Sequence, residues 1–188
     1  TLSDLSSGMI RDARRALGRK DKRFSFEVFD CSKIPHKDCN YDLVIANHVL
    51  FYCEDIPAVC NEIQRVLVPG GKLICSTYGS HHMQEVSQLV QNFDDRIVLS
   101  ADRLYERFGR ENGAAILNPY FSHISWESYK DSLLVPDAEP LISYILSCHG
   151  NQNQYLLDRY KDFRGFVSRK TKDGFFITKD AGIFLCEK

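Results

Sequence analysis

Apolar positions switch between two periods along the first eighty residues. Met9, Ile10, Ala13, Ala16 and Leu17 share one face of a 3.6-residue repeat over residues 8–17, and Gly18 supplies the stop. Residues 1–4 then read as the end of a strand feeding that helix. Residues 24–30 alternate toward a second strand closed by Asp30. Tyr41 to Asn47 is a nearly continuous apolar run, the pattern of a parallel strand covered on both faces. Val59, Ile63, Val66 and Leu67 mark a helix over residues 56–67 that Pro69-Gly70-Gly71 terminates, and residues 72–77 form the next strand. Strands alternating with ten-residue helices predict an α/β fold built on a parallel sheet.

The second half has another texture. Residues 82–92 and 101–117 read as helices, 123–135 as a strand, 139–148 and 154–168 as helices, and 175–186 as a strand again. Lys179-Asp180-Ala181-Gly182 fits a hairpin turn or a bulge within that last strand. Aromatics crowd this half, among them Tyr105, Phe108, Trp126, Tyr144, Tyr155 and Phe163, and core packing is the commoner use of such a set than a substrate cage.

Composition narrows the classes. At 188 residues and 44% apolar content the chain predicts one globular domain with a core that needs no disulfide or metal. Lys and Arg total 24 against 25 Asp and Glu, a net charge of -1, so no overall field recruits nucleic acid or an anionic membrane. The longest apolar stretch, residues 43–53, is broken by Asn47 and His48 and falls short of the ~18 residues of a spanning helix. Seven scattered cysteines, with no C-x-x-C pair and no leader ahead of them, fit a reducing cytoplasm. The start, Thr1-Leu2-Ser3-Asp4, reads as the interior of a longer sequence.

Asp4 and Asp30 each close a strand. In an open α/β sheet ligands bind outside the carboxyl ends of the strands, which sets both carboxylates on one crevice. One can accept from the two hydroxyls of a ribose and the other from an adenine amino group, so the pair suits a nucleoside. Asp is equally a common turn or N-cap residue at such places.

Four segments in order carry a resemblance: residues 3–9, residues 29–35, residues 41–50 and residues 62–73, the last with the run Glu62-Ile63-Gln64-Arg65-Val66-Leu67-Val68-Pro69-Gly70-Gly71. Together they resemble class I S-adenosylmethionine-dependent methyltransferases, closest to the small-molecule type of ubiquinone and menaquinone biosynthesis. Lys179 to Phe184 is similar to that family's last strand, and residues 81–170 match loosely. The resemblance implies a Rossmann-like, doubly wound, mostly parallel sheet with an antiparallel last strand. It implies a single domain in which residues 1–80 hold the cofactor, 81–170 form a variable helical and aromatic cover over a small-molecule methyl acceptor, and 171–188 form the final strand. It also implies roles for particular residues. Asp4 would bind the ribose, with Leu5 and Met9 beside the adenosine. Asp30 would accept from the adenine amino group and the Cys31 backbone N–H would donate to a ring nitrogen. Asn47, His48 and Val49 would line the methionine end.

The departure from the family pattern is a glycine-rich loop expected about twenty residues ahead of Asp4. The blocks present predict a domain whose N-terminal part, on the order of 40 to 60 residues, lies ahead of Thr1, and with it an incomplete cofactor site and an exposed strand edge near residues 24–30. His48 and Tyr52 are the candidates for a general base or for orienting the acceptor, with a pocket-wall role open for His48 and packing favoured for Tyr52. His81, His82 and Glu85 read as a solvated helix start rather than a metal site, since adjacent histidines diverge on a helix. The implied reaction is methyl transfer by in-line displacement from S-adenosylmethionine, which needs positioning and exclusion of water more than a base. The alternative is a non-catalytic binding or regulatory module of the same fold. A nicotinamide-dependent oxidoreductase ranks last, because it does not predict the Asp30-Cys31 pair.

Overall fold

The computed structural model describes residues 1–18, 21–99, 103–148 and 153–188. The strands are β1 (Leu2–Asp4), β2 (Phe26–Val28), β3 (Tyr41–Asn47), β4 (Leu67–Tyr78), β5 (Ser122–Val135) and β6 (Phe175–Glu187). The helices are α1 (Ser7–Leu17), α2 (Ile56–Val66), α3 (Gln84–Phe93), α4 (Leu104–Arg107), α5 (Gly113–Leu117), α6 (Ala138–Ser147), α7 (Asn153–Asp158) and α8 (Tyr160–Thr171), with a 3-10 turn at Leu50–Tyr52. Sheet neighbours are β1-β2 in one sheet and β3-β4-β6-β5 in the other. No described helix is long and apolar enough to cross a membrane.

Two compact units divide the chain. The first comprises Thr1–Cys75, Leu117–Ile124 and Leu185–Lys188. Here β1 and β2 are parallel, in register Leu2 with Phe26 and Asp4 with Val28, and α1 packs on both. α1 forms because the Ser6 hydroxyl accepts from the Met9 N–H at 3.3 Å and Gly18, at φ +93°, ends it. Ile10 is the one buried side chain among described residues 1–28. Elsewhere in this unit the core gathers on α2 and its neighbours, with Val59, Cys60, Ile63, Val66, Leu67 and Leu73 buried. Asp55 caps α2 by accepting from the Ala58 N–H at 2.9 Å.

The second unit comprises Ser76–Ile116 and Ser125–Phe184. Its core is one cluster drawn mainly from α3, α6, α7 and α8, including Val90, Ile142, Ile145, Leu156, Phe163 and Val167. The Phe93 ring lies 5.1 Å from Phe163.

Several elements depart from the sequence reading. β4 begins at Leu67, running through Pro69-Gly70-Gly71, because Gly70 takes φ +75° and Gly71 and Gly70 exchange backbone hydrogen bonds with Lys188. The helix expected over 101–117 is two short helices, α4 and α5, and residues 101–102 lie outside the described residues. The helix expected over 154–168 is likewise α7 and α8, broken at Arg159. β6 continues through Lys179 to Gly182, which removes the hairpin. Gly182 is required there: a Cβ would stand 2.3 Å from the Glu127 carbonyl oxygen and 2.6 Å from the Trp126 ring. β3 is not covered on both faces, since Leu43 and Ile45 are exposed and β4 is its one neighbour among the described strands.

Candidate functional site

The ends of β1, β2 and β3 come together through a chain of short contacts in the first unit. The Phe29 N–H donates to the Asp4 carbonyl at 3.3 Å, which sets the residues after β2 beside the end of β1. Two residues on, Cys31 Sγ lies 3.6 Å from Cys53 Sγ, and the Cys53 thiol lies 3.5 Å from the Val49 carbonyl after β3. Asp4, Asp30, Cys31 and Val49 therefore lie along one connected rim. Each carboxylate also builds its own turn: Asp4 Oδ1 accepts from the Ser6 N–H at 2.7 Å and Asp30 Oδ1 from the Ser32 N–H at 2.8 Å. The turn role and the nucleoside role are thus compatible, because a carboxylate has about four acceptor positions and the turn leaves some of them open. The Ser32 N–H, with help from Lys33, holds the Asp30 carboxyl below the usual range, so it stands ready as an acceptor.

Asp4, Asp30, Asn47 and His48 are exposed, and Leu5 and Met9 turn most of their apolar surface to solvent. His48 sits at φ +51°, a left-handed position that turns the chain sharply out of β3 into the 3-10 turn. Its ring lies 6.0 Å from Phe51. Tyr52 is 65% exposed, and its ring packs edge-on against Phe51 with centroids 4.7 Å apart.

Residues 1–75 match a family described as a methyltransferase domain. The chain shares its α/β fold with solved methyltransferase structures. Among curated relatives it is 34% identical over 85 residues to the biotin biosynthesis bifunctional protein BioHC of Saccharophagus degradans, covering 45% of this chain and 15% of that protein. It is 30% identical over 94 residues to the malonyl-[acyl-carrier protein] O-methyltransferase of Serratia marcescens, covering 50% of this chain and 35% of the relative. The matched stretch thus spans about a third or less of these relatives' length. Among solved structures, the YcgJ protein of Bacillus subtilis aligns with 99% of this chain and 80% of its own at a TM-score of 0.62 and 13% identity. The phosphoethanolamine N-methyltransferase 2 of Haemonchus contortus, solved with S-adenosylhomocysteine, aligns with 99% of this chain and 42% of its own at a TM-score of 0.54 and 20% identity.

Within the matched residues 1–75, the side chains that place the Asp30 turn escaped the sequence reading. Arg65 on α2 grips Glu62 with two bonds of 2.8 Å and reaches the Ile34 and His36 carbonyls at 2.9 and 2.7 Å and Asp38 at 2.8 Å. Glu62 in turn accepts from the Ile34 N–H at 2.8 Å. The pair pins residues 34–38 to α2 and so anchors the segment that begins at Asp30. A Glu and Arg three apart on a helix face was the available signal, and it reads as an ordinary surface pair until the loop carbonyls are in view. Arg65 is the main cause that holds the Glu62 carboxyl below its usual range.

A groove of about 780 Å³ lies between α1 and residues 24–28, lined by Ile10, Arg11, Arg14, Phe24, Phe26 and, at the end of β2, Val28. In the second unit, Glu85 accepts from the Thr178 N–H and hydroxyl, a structural use of a residue weighed as a metal ligand. Asp180 is buried there, paired with Arg110 at 2.8 Å, with its Oδ2 lying where a Cβ on Gly79 would come within 2.3 Å.

Proposed function

We propose that this domain binds S-adenosylmethionine and transfers its methyl group to a small-molecule nucleophile, free or carrier-borne as in the malonyl-[acyl-carrier protein] relatives. The observation that carries this reading is the joined strand-end rim with two exposed carboxylates, Asp4 and Asp30, inside the 75 residues that match the methyltransferase domain. When bound, S-adenosylmethionine supplies a methyl group already activated by its sulfonium charge. The chain's own residues then bind and orient. Asp4 would hold the ribose diol, with Leu5 and Met9 covering the adenosine. Asp30 and the Cys31 N–H would read the adenine edge, and Asn47, His48 and Val49 would line the methionine end. Exposed apolar side chains at Leu5 and Met9 suit this task, since a ligand that covers them recovers roughly 25 cal/mol for each Å² removed from water. His48 and Tyr52 would orient the acceptor or take its proton. Seven cysteines, none in a disulfide, are in keeping with a cytoplasmic location.

Calorimetric titration of the full-length protein with S-adenosylmethionine and S-adenosylhomocysteine tests the reading. Asp30→Ala is expected to weaken binding several-fold, on the order of 1 to 2 kcal/mol for one hydrogen bond to a charged group. No binding of either ligand to the unsubstituted protein sinks the proposal, and unchanged affinity in Asp30→Ala removes the adenine role. Binding without turnover on any acceptor would leave the non-catalytic module as the better description.

A further inference from the structure

The thiols of Cys31 and Cys53 face each other at 3.6 Å across the rim, both half-buried, on two segments twenty-two residues apart in sequence. A disulfide needs its sulfurs at about 2.05 Å, so the pair lies about 1.5 Å from bonding distance. Cys31 lies three residues past β2 and Cys53 follows the 3-10 turn after β3, so both stand in connecting segments rather than in strands, where a shift of that size is tolerated. We propose that Cys31 and Cys53 form a thiol–disulfide exchange site whose reagent is an oxidised low-molecular-weight thiol, and that the product is an internal bridge tying the Asp30-Cys31 turn to the residues after β3.

The chemistry balances without any further component. The Cys31 thiolate attacks one sulfur of the reagent disulfide and expels the first thiolate, leaving a mixed disulfide on Cys31. Cys53 loses its proton to solvent and attacks Cys31 Sγ, forming the protein S–S bond and expelling the second thiolate. Two protein thiols are oxidised, one reagent disulfide is reduced to two thiols, and a dithiol such as dithiothreitol runs the sequence backwards.

Geometry and acidity agree on the order of attack. The Cys53 thiol beside it lowers the Cys31 thiol to about 7, against burial and the Asp30 charge, which both push it up. At pH 7 that gives a thiolate fraction roughly sixteen times that of an ordinary thiol of pKa ≈ 8.5, reduced to about threefold in rate by the weaker nucleophilicity of the more acidic thiolate. Threefold alone would not distinguish Cys31 from the exposed Cys39. The neighbouring sulfur does, because it resolves the mixed disulfide within the molecule. Cys60, Cys75 and Cys186 are buried, and burial pushes the Cys60 thiol up to about 12, which takes it out of exchange near neutral pH.

Bridge formation does not depend on the cofactor assignment, so its failure and that of the proposed function are separable. The full-length protein is incubated with oxidised glutathione, quenched in acid, alkylated and peptide-mapped. The expected product is a peptide pair linked through Cys31 and Cys53, reversed by dithiothreitol. Cys53→Ser is expected to stop at a stable glutathione adduct on Cys31. Cys31→Ser is expected to form no bridge, and the thermal unfolding of both variants shows whether they fold. Glutathione remaining on Cys31 in the unsubstituted protein, a bridge to another cysteine, or no reaction at either thiol each overturns the proposal. If the bridge does pin the adenosine side of the rim, S-adenosylhomocysteine affinity differs at least threefold between the reduced and bridged forms; equal affinity overturns the claim that the bridge reaches the rim.

Discussion

The β1-α1-β2 segment and the α3-α6-α7-α8 cluster divide the labour of this chain in opposite ways. The first holds Asp4, Leu5 and Met9, the start of the family match, yet among its described residues it buries one side chain, Ile10, and rests on a sheet of two strands. The second has no recognisable motif and buries Val90, Ile145, Leu156, Phe163 and Val167 completely. Two strands without more are marginal in water, whereas a helical cluster with a shared apolar core is stable by burial alone. The comparison teaches that motif density and packing density are separate properties. Residues that must meet a ligand stay at strand ends and leave surface uncovered; residues that hold the fold have no reason to follow a motif beyond being apolar at the right period.

The largest effect that sharpens this contrast is expected at Phe163. Its ring is fully buried, touches Phe93, and sits in the middle of the helical cluster, so Phe163→Ala should cost about 3 to 5 kcal/mol in chemical denaturation. A loss under about 1 kcal/mol would mean the cluster is not the stabilising core, and the contrast would fail.

Acid titration probes the same unit through a charge. Arg96, and behind it Arg159, hold the Asp94 carboxyl down to about 2, against some desolvation. A folded value below the unfolded one of about 3.9 means that the stabilisation is complete above about pH 4 and is lost as pH falls through about 2. Asp94→Asn should therefore unfold at a lower temperature than the parent at pH 6, with the gap closing between pH 4 and 2. A gap that stays constant with pH would show that the carboxylate charge contributes nothing there.

How much of this was legible in the sequence follows the range of the interactions involved. β3 and α1 were readable because a continuous apolar run, and an apolar stripe ended by glycine, are local signals, and Ser6 and Gly18 cap α1 from within a few residues. The start of β4 was misread because Gly70 and Gly71 look like a stop, whereas their partner is Lys188 at the far end of the chain. The passage of β6 through Gly182 depends on Trp126 and Glu127, again distant in sequence. The rim shows the same division. Asp4 and Asp30 announced themselves as strand-end acids, while the Arg65 clamp and the Cys31–Cys53 contact arise only when α2 and the 3-10 turn are set beside the loop after β2.

The smallest expected effect is the one that can break the comparison from the other side. Val28 ends β2, is 52% exposed, and stands on a strand whose one sheet neighbour among the described residues is β1. Val28→Thr keeps the β-branch that favours an extended backbone and exchanges one exposed methyl for a hydroxyl, so it removes almost no burial and strands no polar group. It should change stability by no more than about 0.5 kcal/mol in the same denaturation that reports Phe163→Ala. A loss above about 2 kcal/mol would have a definite physical meaning: the Val28 methyls would be covered in solution, the hydroxyl would be buried without a partner, and the β1-α1-β2 segment would then be a packed layer whose apolar surface is already spent on the fold.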